Sequence, residues 1–147
     1  MTLDIRDELK TLLSQITYTD AEGQTRNVNV YFETDVTGNN RVRFTTPALI
    51  IRGLIERARP VTIGWTYYEE EGEIDVSLYL KMRTDNYDAY SVRKEITSRL
   101  EELIKSHKDG IGSADYLLLT DVRDRDFLEE KGTLRRDFTI SVYRKGG

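Results

Sequence analysis

Cysteine is absent from this chain. Its absence removes disulfides and thiolate metal ligands, and it fits a reducing compartment or indifference to redox state. Histidine occurs once, at His107. A zinc site would then rest mostly on carboxylates, which is unusual for that metal. No Ser/His/Asp or Cys/His set can be assembled without that one ring. The glycines are scattered, so neither common phosphate-cradling loop can be found. No run approaches the ~20 apolar residues of a membrane span, so no membrane partner is expected. The first seven residues lack the basic and apolar regions of a signal peptide, and synthesis in the cytoplasm is the expectation. An excess of positive charge is missing too. Lys and Arg number 22 against 26 Asp and Glu, for a net charge of −4. The signs are interleaved as on a solvated surface, with no basic stripe for gripping phosphates.

What is present suits one domain. A chain of 147 residues buries roughly 68–70% of the surface it exposes unfolded, enough for a core without disulfide or metal. The expected layout is a single α+β domain over residues 1–147, with a loose tail from about residue 144. Nine Tyr against four Phe suit half-buried sheet faces and interfaces.

Apolar residues at Ile5, Leu9, Leu12, Leu13 and Ile16 predict a helix over 4–16. Turn formers cluster at 18–23. Val28, Val30 and Phe32 then alternate with polar neighbours, a strand pattern. A loop is expected at 35–40, faintly like a calcium loop but without its spacing or closing Glu. Residues 41–44 read as a short strand. Pro47 precedes the extended run Ala48, Leu49, Ile50, Ile51. The stretch 52–60 is ambiguous between helical turn and strand. Ile63, Trp65 and Tyr67 lead to a turn at 69–72, and Ile74, Val76, Leu78 and Leu80 alternate on the return. The stripe Val92, Ile96, Leu100, Leu103, Ile104 predicts a long helix over 88–106. Asp109 to Gly112 is its stop. His107 reads as a helix-end residue beside the negative end of the dipole. A short strand at 116–120, a charged loop at 121–131 and a final strand through Ile140 and Val142 complete the chain. The fold class is therefore a mainly antiparallel sheet packed against two helices. The expected core is Leu9, Leu12, Ile63, Trp65, Val76, Leu78, Ile96, Leu100, Leu103, Ile140 and Val142.

No catalytic, cofactor or metal site is expected. Carboxylates are plentiful, so paired-acid chemistry stays open on composition alone. The acid run Glu69, Glu70, Glu71 reads as a solvated hairpin tip. Arg123, Asp124, Arg125 and Asp126 alternate in sign. They could meet a partner, although self-neutralising surface pairs are the more frequent case. Together with Glu129 and Glu130, these residues are the candidates for a subunit interface.

The order of elements resembles the tail-terminator and tail-completion (neck) proteins of long-tailed phages and prophages. The parallel covers most of the chain: the helix over 4–16, Pro47 with its apolar strand, a hairpin, and a long helix ending in a polar turn. The loop Asp121, Val122, Arg123, Asp124, Arg125, Asp126 and the last strand, Phe138 to Arg144 with Tyr143 near its end, complete it. The resemblance implies a structural subunit of a homo-oligomeric ring, often six-fold. Such a ring ends the tail tube or joins it to the head. Its partners would be copies of itself and the tail-tube and neck proteins, with DNA only passing through the lumen. It would assemble in the host cytoplasm and reside in the virion tail or neck. The competing expectation is a small cellular α+β domain that binds a ligand or a protein without catalysis.

Overall fold

The computed structural model describes residues 4–36, 44–60, 68–127 and 131–146. The N-terminal stripe forms α1, Arg6–Leu13, shorter at both ends than expected. Asp4 accounts for the start. Its carboxylate accepts from the Arg6 amide at 3.1 Å and from the Arg6 guanidinium at 2.8 Å, so it stays outside the helix as a local anchor. At the other end, Gln15 and Ile16 donate to the carbonyls of Leu12 and Leu13, tightening the chain out of α geometry. The turn formers at 18–23 join two three-residue strands, β1 (Thr17–Thr19) and β2 (Thr25–Asn27). The Asp20 carboxylate accepts the Glu22 and Gln24 amides, both at 2.9 Å, the local bonding that makes Asp a turn residue.

The main sheet has five strands: β3 (Asn29–Phe32), β4 (Ala48–Pro60), β5 (Tyr68–Lys81), β6 (Tyr116–Asp124) and β7 (Thr133–Gly146). Their order is β3-β4-β5-β7-β6. Three of the four pairings are antiparallel, so the expected class holds, and β3 with β4 is parallel. That pair is joined through residues 33–47, which include the one-turn helix α2, Glu33–Val36. A parallel pair needs a crossover of about a dozen residues or more, and this connection supplies it.

The hairpin departs most from the sequence reading. Its arms are β4 and β5, and the ambiguous stretch 52–60 is strand. The acids at 69–71 are not a turn but the start of β5. The connection is 61–67, outside the described residues together with Ile63, Trp65 and Tyr67. The reason lies in the register. Glu70 pairs with Arg144 across β7, and opposite charges at directly facing positions support a strand that an acid run alone would disfavour. Gly72 is likewise a strand residue. A Cβ there would meet Val142 Cγ2 at 2.9 Å and Leu54 Cδ1 at 3.0 Å, so glycine lets two apolar side chains close over the strand. The tail expected to be loose from about residue 144 is also strand, since β7 runs to Gly146.

The long helix is α3, Ala89–Ser106. Asp88 caps it by accepting the Ser91 amide at 3.1 Å, as an N-cap carboxylate does. Gly110 ends the turn that follows, with φ +102°, and a Cβ there would lie 2.0 Å from the Ala114 carbonyl oxygen. Only glycine fits.

The side chains of α1 and α3 pack on one face of the sheet in a single core. Ile96, Leu100 and Ile104 of α3 meet Ile74, Val76, Leu78 and Leu80 of β5 and Phe138, Ile140 and Val142 of β7. Of the expected core, Leu9, Leu12, Val76, Leu78, Ile96, Leu100, Ile140 and Val142 are buried, and Leu103 is half-buried against them. The two remaining members, Ile63 and Trp65, lie outside the described residues.

Candidate functional site

The segment at 121–131, expected to be a loop, is strand for its first third. β6 continues through Asp124 past an irregularity between Leu119 and Asp121. Arg125 then donates to the Arg135 carbonyl at 2.8 Å and Phe127 to that of Thr133 at 2.9 Å. The alternation Arg123, Asp124, Arg125, Asp126 is thus the period of an extended ribbon, with the two acids and the two arginines on opposite faces.

The acids turn toward α3. Asp124 accepts from Arg136 Nε at 2.6 Å and Nη2 at 3.1 Å. Asp126 accepts from Arg93 Nη1 at 2.9 Å and from the Arg135 amide at 3.1 Å. Arg136 also donates to Thr97 Oγ1 at 3.0 Å. Arg93 and Arg136 therefore tie the helix to the β6–β7 ribbon. On the other face Arg125 Nε lies 2.9 Å from the Asp137 carboxylate. Arg123 and Asp121 sit 3.4 Å apart, both more than half exposed, a geometry that contributes little. Glu129 and Glu130 lie outside the described residues. Glu69, Glu70 and Glu71 are not brought to this cluster. They register with the C-terminal end of β7, from Tyr143 to Lys145, whereas Asp124 faces Arg136 near its start.

A second set of polar residues, missed from sequence, occupies the sheet face that the helices leave open. Ser77 and Tyr79 are buried there. Arg52 donates to Glu33, Ser77 and Tyr79. Asp137 accepts from Ser77 Oγ at 2.7 Å and from Arg135 Nε at 2.8 Å. The Arg135 guanidinium lies over the Tyr79 ring, 5.5 Å from its centre, and Phe44 packs against the same ring at 5.4 Å. The only trace in the sequence is alternation itself: Ser77 and Tyr79 sit one step out of phase with Val76 and Leu78.

Burial pushes the Asp137 carboxyl up, but the bonds from Arg135 and Ser77 and the charge of Arg52 outweigh it, and the net direction is down. The Arg136 guanidinium holds Asp124 below the usual carboxylate range. Asp4, Asp20 and Asp88 are lowered as well. A general acid needs the opposite shift. Among the described residues, no group of three or more His, Cys, Asp or Glu is gathered for a metal. His107 stands at the α3 C-cap, its Nδ1 3.0 Å from the Leu103 carbonyl oxygen.

Seven large apolar side chains are exposed among the described residues: Ile55, Met82, Tyr90, Tyr116, Leu118, Val122 and Phe127. The last four, at 42%, 50%, 40% and 48% exposure, all belong to β6 and the turn after it. β6 is also an end strand of the sheet. No protein-family model and no curated protein matches the chain. No helix among the described residues is long and apolar enough to cross a membrane.

Proposed function

We propose that the chain is a structural subunit that joins copies of itself through the β6 ribbon into a ring. In this reading the ring ends a phage-like tail tube or joins it to the head, the role of the proteins whose element order it resembles. Assembly takes place in the host cytoplasm, the ring stays in the virion, and DNA only passes through its lumen. The observation that carries the reading is the exposure of Tyr116, Leu118 and Val122 along one end strand, with Phe127 in the turn beyond it. Scattered apolar residues need no explanation, but a group of them on a sheet edge is where another chain docks. The charges at 121–126 are largely satisfied within the chain. They stiffen and orient the ribbon, while apolar contacts hold the neighbour.

The test is electron microscopy and sedimentation of the purified chain, alone and with the tail-tube protein from the same genome. Rings in solution or at tube ends are the expected outcome. A chain that sediments as a monomer at ~1 mM, the regime where even weak association registers, and leaves tube ends unaltered would refute the reading.

A further inference from the structure

The edge of β6 carries a charge pattern that is complementary to itself. β6 has β7 on one side and, among the described residues, no strand on the other. Asp121 pairs with Thr139 and Arg123 with Asp137, and the amides of Arg125 and Phe127 donate to the carbonyls of Arg135 and Thr133. Backbone hydrogen bonds alternate in direction along a strand. Residues 121, 123 and 125 therefore turn their backbone groups to β7, and Val122 and Asp124 turn theirs to the open edge. Every residue from Thr120 to Arg125 is exposed.

An open edge invites any extended chain, and bulges and charges are the usual protection. The irregularity between Leu119 and Asp121 is one such device. The charges are more selective. Asp124, Arg125 and Asp126 are held by Arg136, Asp137 and Arg93. Asp121 and Arg123 make only a weak contact with each other, 3.4 Å long, and both stay more than half exposed. They flank Val122 with opposite signs. When two such edges run antiparallel about a two-fold axis at Val122, each Asp121 faces the Arg123 of the other copy. Between these two ion pairs the outward N–H and C=O of one Val122 bond those of the other. Moving the axis to Asp121, Arg123 or Asp124 sets that charge against its own copy. At Asp124 it also sets Arg123 against Arg125. Like charges directly opposite are destabilising, so the register centred on Val122 is the favoured one of the four.

We propose that the free protein pairs two-fold through its β6 edges, with Val122 on the axis and Asp121 opposite the partner's Arg123. The occupant is a second copy because the same three residues, read in the opposite direction, supply the complement of this edge. Such a contact is isologous and closes on two copies, so it is not the contact that builds a ring. The pair covers the edge in the free protein, and ring assembly at a tube end replaces it.

The test is sedimentation equilibrium at chain concentrations up to ~1 mM, since few residues take part and the pair is weak. Wild-type chains are expected to reach a dimer. Arg123→Glu sets acid against acid twice, and Asp121→Arg sets base against base twice. Each variant alone should raise the dissociation constant roughly tenfold or more. Mixed in equal amounts, the two variants regain opposite charges at both positions. A mixed dimer of near wild-type strength should then appear, identified by native mass spectrometry. Both side chains are exposed, so the thermal midpoints should hardly move. Val122→Pro removes an N–H that faces the open edge and leaves the β7 ladder intact. It should fold and stay monomeric. Wild-type chains that remain monomeric at ~1 mM overturn the inference. So do single reversals that dimerise like wild type, or a mixture no tighter than its components. A monomer that still caps tube ends overturns the pair and leaves the ring reading standing. A dimer with this mixing behaviour that leaves tube ends bare supports the pair without the ring.

Discussion

Leu100 is fully buried in α3, within the core formed with β5 and β7. Its removal leaves a cavity that rigid sheet neighbours cannot fill, so Leu100→Ala should cost about 2–5 kcal/mol. Urea denaturation measures this, and a loss below ~0.5 kcal/mol, typical of surface changes, would contradict the packing. Asp137 acts differently. It gathers Ser77, Arg125 and Arg135 on the open face of the sheet. Asp137→Asn removes the charge and should cost about 1.5–3 kcal/mol, as for hydrogen bonds to charged groups. The pH dependence follows from the direction of its shift. A carboxyl lowered in the folded state stabilises the fold above its unfolded value, ~3.9 for Asp. That contribution is lost as pH falls through the lower folded value. Asp137 and Asp124 both shift this way. The urea midpoint should therefore fall on acidification below pH ~4, and less steeply in Asp137→Asn. An identical slope in wild type and variant would remove Asp137 from the account.

At the scale of elements, α3 was legible in detail: its apolar stripe, its span to within one residue and the stop at 109–112 all stand where the pattern put them. A helix draws these signals from neighbours three or four residues away. The hairpin was not legible. Its acid-rich segment is a strand paired with β4 on one side and β7 on the other, with Arg144 opposite Glu70, and no local signal announces a partner so far along the chain. Gly72 gives the sharpest test of the corrected element. At a turn tip a larger residue would cost little beyond the turn geometry. In the strand, Val142 and Leu54 already occupy the space. Gly72→Val should overpack the core and cost about 1–3 kcal/mol. A near-neutral effect in urea denaturation would restore the turn.

For the whole molecule, function depends on which surface is left over once the sheet is assembled. The candidate residues were only partly legible. The sign alternation at 123–126 was visible, but the two acids are taken by Arg93 and Arg136. In the sequence, Tyr116, Leu118 and Val122 follow ordinary strand and loop texture, and nothing there marks them or Phe127 as exposed. Rings or capped tube ends are the outcome expected of that surface. By itself the sequence determined the α+β class, the long helix, the sheet face that meets it and the lack of thiol chemistry. These follow from local periodicity and from which residue types are present. Only the tertiary structure decided that β6 is an end strand, that the acid run is paired in the sheet, and that Phe127 stands outward while Asp126 is held. Strand order and register are set by pairings between distant segments, whose interaction free energy depends on all of them at once. A reading that moves along the chain meets each partner separately and cannot tell which edge will remain open.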